Sequence, residues 1–399
     1  MTGLGVRRDA ARWVLAYTLA VLGDVTYYLV LTWAAAEAGG ARWSGIILAA
    51  GSLPRLLLLL AGGMLADRLD PRRIAIWTDS TRAATLAVAV LLTAAIGLLP
   101  WWLTIVAVIF GIVDACFLPA VGAMPARLVP PEDLTRLQAW RITGLRVANA
   151  AGPVLGALLL VAGSTIAFGA VALLFVASVL LLRTIRPLPA GARGARIAAA
   201  ESGSGWREVK RLRLTTLVIG TALSELPFSG PVAAAIVLLV QGRGWPAGIA
   251  GGVLAAFSLG GLATSVLLSM TTRTGGRAVM LVSVGATALL LIAFGASADP
   301  GAALLWGAAL GVTSGVTMVL CQGQVQRATP PALLGRVTAM LTLLTLGLSP
   351  LAYAGVGLVA DLAGVPTLFT AAAIVVAASG AVLATARFGA PAPPAPAEG

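Results

Sequence analysis

Residues 62–73 read GGMLADRLDPRR. Two aspartates and three arginines crowd together here, with long apolar runs on both sides. The crowding is out of keeping with the rest of the chain, where only 11% of 399 residues are charged and 59% are hydrophobic. A soluble globular protein carries about 25% charged residues. No soluble fold of this length covers so large an apolar core with so little polar surface. The segment therefore reads as a loop between two membrane-spanning helices.

Working outward from that loop, apolar runs of about 20 residues can be laid along the whole chain. They fall at about 13–36, 44–66, 74–97, 101–126, 138–162 and 165–183, and again at about 214–240, 247–270, 277–297, 301–324, 336–361 and 365–386. The expectation is an all-α membrane protein of twelve transmembrane helices. Only Gly163 and Ser164 form the turn between the fifth and sixth spans. Arg7, Arg8 and Arg12 precede an apolar run that reaches about Ala36, too long for the core of a signal peptide, so it reads as the first span.

The net charge of +12 does not point to nucleic acid, because the basic residues are nearly all arginines between spans and Lys210 is the one lysine. With the N-terminus in the cytoplasm, the inner segments hold Arg7, Arg8, Arg12, Arg68, Arg72, Arg73, Arg127, Arg136, Arg273, Arg277, Arg327, Arg336, Arg387 and the basic run 183–213. The outer loops then hold only Arg42 and Arg243. Cationic loops stay on the cytoplasmic side, which predicts a multi-pass protein of the cell membrane with both termini inside. Residues 184–212 form the longest connection and read as a cytoplasmic linker with a short amphipathic piece near Trp206–Arg213. It separates an N-terminal bundle, 1–183, from a C-terminal bundle, 213–386, and the Pro/Ala-rich tail 387–399 reads as disordered.

The two bundles echo each other. Residues 127–136 read RLVPPEDLTR after the fourth span, and 327–336 read RATPPALLGR after the tenth, a constant offset of 200. A weaker match pairs Arg68 with Arg273 and Arg72 with Arg277, at an offset of 205. Two parallel six-helix halves of this kind place a binding site between them at mid-membrane and work by rocking.

At this point the chain resembles the major facilitator superfamily. Gly63-Met-Leu-Ala-Asp67-Arg68-Leu-Asp-Pro-Arg72-Arg73 looks like that superfamily's signature between its second and third helices, G-x-L-a-D-r-x-G-r-k, and departs from it at Asp70 and Pro71. The branch that exports drugs, including macrolide-efflux and enterobactin-exporter proteins, is similar at Leu53-Pro54-Arg55, at Asp79 and Arg82, and at Gly335-Arg336-Val337. The resemblance implies a conformational latch in which Asp67 pairs with Arg336 across the two halves, while Arg68, Arg72 and Arg73 face anionic headgroups. The plainer reading is topogenic charge that holds the loop inside. Ala148–Ala157 resembles the antiporter signature of exporters through Gly152, Pro153 and Gly156. It implies a hinge in the fifth helix, against the simpler reading of tight small-residue packing.

Ionisable residues inside a membrane are expensive and usually functional. Asp24, Arg55, Asp114 and Glu225 lie mid-way along the first, second, fourth and seventh spans. In the superfamily fold, helices one, four, seven and ten line the cavity, which would bring Asp24, Asp114 and Glu225 to it. Hydrocarbon favours the neutral form of a carboxyl group, so such residues can carry a proton or pair with a cationic substrate. Alternatively, Asp24 or Asp114 neutralises Arg55 as a structural pair. Asp79 and Arg82, one turn apart, read as a structural ion pair. Arg141 is placed to snorkel and Arg146 to face protein. Tyr27, Tyr28, Trp33, Phe117, Phe228 and Phe257 are candidate aromatic walls.

There is no histidine, so histidine metal sites, histidine proton relays and serine–histidine catalysis are excluded. Cys116 and Cys321 sit in apolar runs as small hydrophobes. No phosphate-binding glycine loop, nucleophile constellation or metal cluster appears. The expected function is a monomeric secondary transporter, not an enzyme, with no cofactor and no metal. It would exchange protons for a hydrophobic or amphipathic small molecule moving out of the cell. Uptake of a small metabolite by proton symport is the alternative.

Overall fold

A computed structural model describes residues 3–61, 70–185, 202–270, 276–330 and 333–386. Eleven helical stretches among them are long and apolar enough to cross a bilayer, and the first, Arg8–Leu58, holds 51 residues. At 1.5 Å per residue such a stretch is far longer than the roughly 30 Å hydrocarbon core. It belongs to helix α1 (Gly3–Ala61), which is interrupted at Gly39 and Gly40. Gly40 has φ of 72°, a conformation that costs glycine nothing, and it folds the chain back on itself. One apolar stretch thus supplies two spans, residues 3–38 and 41–61, and the described residues hold twelve.

The first six spans are completed by α2 (Pro71–Ile96), α3 (Pro100–Ala123), α4 (Leu134–Val161) and α5 (Ser164–Thr184). The charged loop of the opening quotation leads into α2. There Asp70 is the N-cap, its carboxylate accepting from the Arg72 backbone N–H at 3.2 Å and pairing with Arg127 at 3.0 Å. The Arg72 guanidinium does not turn to headgroups. Its Nε and Nη2 donate to the carbonyls of Leu182 and Arg183, at 2.9 and 2.7 Å, and so satisfy the open C-terminal end of α5. Arg73 is exposed. Asp70→Ala removes the cap and the Arg127 partner together, and is expected to cost about 1 kcal/mol of stability, read from thermal unfolding in detergent.

The amphipathic piece of the linker is α6 (Ser202–Arg211), which buries Val209 completely. The seventh span is split. Helix α7 (Thr215–Glu225) runs into a 3-10 turn, Leu226–Ser229, and resumes as α8 (Pro231–Gly242). Pro227 and Pro231 each lack the N–H that would continue the helical ladder, so the break sits where the sequence puts its two prolines. The remaining helices are α9 (Ala247–Met270), α10 (Arg277–Gly295), α11 (Pro300–Ala328), α12 (Leu334–Gly347), α13 (Ser349–Ala363) and α14 (Val365–Thr385). Helices α12 and α13 are one span bent at Leu348, just before Pro350.

The repeat is visible in the packing as well as in the loops. A Cβ on Gly111 of α3 would overlap the Gly51 carbonyl oxygen, and one on Gly311 of α11 would overlap the Phe257 carbonyl oxygen. The fourth span thus presses on the second, and the tenth on the eighth, through glycines 200 positions apart. Only small residues allow helix backbones to approach this closely in a membrane.

Candidate functional site

A cavity of about 740 Å³ lies between the first six spans and the last six. The first, second and fifth spans line one side, and the seventh, eighth, tenth and eleventh line the other, with Thr287 of the ninth and Val376 of the twelfth. The fourth span contributes nothing to the wall. Among the described residues, three that are charged line the cavity: Arg55, Arg146 and Glu225. Glu225 is the last residue of α7, delivered by the proline break. Its Oε1 accepts from the Gln322 side-chain amide of α11 at 2.9 Å. No arginine or lysine among the described residues pairs with it. Phe228 and Phe257 stack face to face on the same side, with ring centroids 5.8 Å apart. Tyr28 faces them from the first span.

Beside the cavity, inside the first six spans, lies a buried charge cluster. Its hub is Arg82, which is fully buried. Arg82 Nη1 donates to Asp79 Oδ1 at 3.0 Å, and Nη2 donates to Asp114 Oδ1 and lies 3.3 Å from Asp24 Oδ2. The guanidinium packs against the rings of Phe117 and Phe175, 4.4 and 5.3 Å from their centroids. Ser178 of α5 donates to Asp79 Oδ2 at 2.6 Å, and Tyr28 donates to Asp114 Oδ2 at 2.9 Å. That same Asp114 oxygen lies 3.9 Å from Arg55. Three carboxylates therefore share two arginines. Arg82's planar fork can serve several acceptors at once, which lysine could not.

These positions correct the sequence reading in several places. Asp24 and Asp114 do not line the cavity; they turn to Arg82 instead. Asp79 and Arg82 do pair, but as part of a network tying the first, third, fourth and sixth spans together. Arg55 faces the cavity and touches Asp114 only at long range. Arg146 lines the cavity and is exposed there. Among the aromatic candidates, Tyr28, Phe228 and Phe257 line it. Tyr27 is buried and stacks on Phe110 with centroids 3.7 Å apart, and Phe117 serves Arg82. Trp33 is absent from the wall, and its backbone carbonyl accepts from Gln241 at 3.1 Å. Gly63, Asp67 and Arg68 lie outside the described residues, and Arg336 is exposed in the first turn of α12.

Gly152, Pro153 and Gly156 perform two jobs. A Cβ on Gly152 would come within 2.6 Å of Val25, and one on Gly156 within 2.8 Å of Leu29, so both glycines seat α4 against the first span. Pro153 has no N–H, which leaves the Asn149 carbonyl without its helical donor. Ser258 of α9, across the cavity, supplies one at 3.2 Å. The same hydroxyl lies 2.9 Å from the Leu254 carbonyl of its own helix.

The halves meet closely at the end away from the termini. There Gly45 of the second span lies against Gly357 of α13, so closely that a Cβ on either would collide with the other's backbone. Gly251 of α9 faces the Pro153 carbonyl, with room for a Cβ only at 2.5 Å. Leu29, Ala157, Val237, Val240 and Ala250 form a buried apolar plug between the halves at this end.

Residues 13–344 match the sequence profile described as Major Facilitator Superfamily. The chain belongs to that superfamily. No curated protein matches it in sequence. Among solved structures, the superfamily chain is similar to the nucleoside transporter NupG, with a TM-score of 0.72, 15% identity and coverage of 95% of this chain and 100% of that one. A bacterial homologue of the iron transporter ferroportin, in an inward-facing state, has a TM-score of 0.72 and 17% identity, covering 96% and 100%. A D-xylose–proton symporter has a TM-score of 0.69 and 13% identity, covering 96% and 97%. At these identities the likeness is one of fold.

The sequence carried one overlooked signal for the cluster. Arg82, Asp24 and Asp114 all lie near the middle of their spans, at a common membrane depth, and a charge at that depth needs a partner.

Proposed function

We propose that this protein is a secondary active exporter, which exchanges protons for an amphipathic small molecule by alternating access. The cavity carries the reading: it lies between two repeated halves, mixes stacked aromatic rings with three charged groups, and is shut at one end by glycine contacts. With the arginine-rich loops on the cytoplasmic side, that shut end faces outward and the cavity opens inward. The state is then the one that receives substrate from the cell interior.

Glu225 is the proposed exchange site. It is the carboxylate on the cavity wall, and a proton and a cationic group would compete for it. Asp24, one oxygen of which is buried without a hydrogen-bond partner, is the second proposed proton carrier. Gly152, Pro153 and Gly156 act as the hinge, and Asp67 with Arg336 as the inner latch. Export rather than uptake rests on the resemblance to the drug-exporter branch.

Everted membrane vesicles test this directly. An acid lumen is expected to drive accumulation of an amphipathic aromatic amine dye, and collapsing the pH gradient to release it. Glu225→Gln is expected to lower gradient-driven accumulation by about tenfold or more, because it removes the group that holds the proton and the amine in turn. Accumulation that ignores the gradient, or is undiminished in Glu225→Gln, would overturn the mechanism.

A further inference from the structure

Two opposite charges face each other across the cavity, and neither is neutralised from within it. Arg55, on the second span, is half-buried. Its nearest carboxylate, Asp114, is 3.9 Å away and already accepts from Tyr28 and Arg82. Arg55 Nε is buried with no hydrogen-bond partner. Arg146, on α4 of the same half, adds a second cation to that wall. On the opposite half, Glu225 accepts from the neutral amide of Gln322 and has no cationic partner among the described residues. The Phe228–Phe257 stack lies beside Glu225 on that side. A guanidinium whose one carboxylate neighbour is distant and shared with Arg82 and Tyr28 keeps most of its donors free, and is a strong, directional receptor for a carboxylate or similar anion. A solitary carboxylate beside aromatic faces is a receptor for an ammonium group.

We infer that the transported molecule is a zwitterion with an aromatic or apolar body. Its anionic group docks on Arg55 and its ammonium group docks at Glu225. This rests on the reading of the cavity as the transport site and narrows it to a substrate class. Such a molecule bridges the two halves through charges of opposite sign. A simple cation would leave Arg55 uncompensated, and a simple anion would be repelled by Glu225. The ammonium group is also the part that competes with the exchanged proton, so zwitterion recognition and proton exchange share one carboxylate.

Three probes sharing one ring system separate the possibilities: 3-(2-naphthyl)alanine as the zwitterion, 3-(2-naphthyl)propionate as the anion and 2-(2-naphthyl)ethylamine as the cation. Binding is measured by calorimetry on the full chain in nanodiscs, and transport in proteoliposomes. The wild-type protein is expected to bind the zwitterion about tenfold or more tighter than either single-charge probe, the size of one charge-assisted contact. Arg55→Gln should bring the zwitterion down to the level of the cation, and Glu225→Gln down to the level of the anion. Arg55→Lys should recover part of the loss.

The wild-type ranking needs no variant, so poor folding of a mutant cannot mask the answer. If the cation binds as tightly as the zwitterion, or if Arg55→Gln leaves the ranking unchanged in a folded protein, the zwitterion inference is overturned while the transport reading stands. If none of the three moves or binds, and the amine dye is also not accumulated, the transport reading falls with it.

Discussion

Arg82→Met is expected to destabilise the protein by about 3–5 kcal/mol, the largest effect of any single change considered, because it leaves buried carboxylates without their shared cation. Asp79, Asp114 and Asp24 all converge on Arg82, and Asp79 and Arg82 are fully buried. Methionine fills most of the space between Phe117 and Phe175, so lost volume is not the dominant cost. Arg82→Lys should recover only part of the stability, since a point charge cannot reach three acceptors in three directions. Asp79→Asn combined with Arg82→Met should be milder than Arg82→Met alone, because it removes one stranded charge. Thermal unfolding in detergent reads all three variants. A near-normal midpoint for Arg82→Met would show that the cluster is protonated or hydrated enough not to need its arginine.

The second large effect is conformational. Gly45→Val puts a branched side chain where the Gly357 backbone lies, with the Tyr353 carbonyl only 2.9 Å from the new Cβ. Overpacking of this kind costs about 1–3 kcal/mol. Here the cost falls only on the state in which these helices touch. The balance between closed and open far ends should then shift by about 5- to 150-fold. Val240 is fully buried in the plug at that end, which makes it a reporter. In a background lacking Cys116 and Cys321, Val240→Cys should resist a membrane-impermeant maleimide. Adding Gly45→Val should make it reactive and slow transport. Unchanged labelling would mean the two helices separate without affecting the plug.

Much of the architecture was legible in the sequence, for identifiable reasons. The twelve spans follow from apolar length, and the repeat from the matched arginines and prolines at 127–136 and 327–336. The seventh span reads as one run by apolar length, with Pro227 and Pro231 as the signal for its break, and Glu225 reaches the cavity wall as the resemblance implies. The linker helix announced itself near Trp206. Less legible was the first turn, where the chain spends only Gly39 and Gly40 on reversing direction, so the spans run almost into each other.

The charge cluster was hardest to read. Asp79 and Arg82 satisfy an i, i+3 spacing and look complete by themselves. The decisive partner, Asp114, is 32 residues further on. Nothing in a one-dimensional pattern says which way a mid-helix side chain points. Sequence position alone thus puts Asp114 on the cavity wall, whereas packing turns it to Arg82 and leaves Arg55, on the cavity, sharing Asp114 at 3.9 Å.

Ser258 shows how a moving interface can be made reversible at the level of single atoms. Its hydroxyl proton has one acceptor across the divide, at Asn149, and another at home, at Leu254. In the proposed alternating-access cycle, parting of the bundles would leave the Ser258 proton its acceptor at Leu254, and the Asn149 carbonyl would turn to the cavity, whose wall Asn149 already lines. No polar group is stranded on either side of the stroke. Parting and rejoining at this point should therefore be nearly balanced in free energy, which lets small differences in what occupies the opening decide the direction of each cycle.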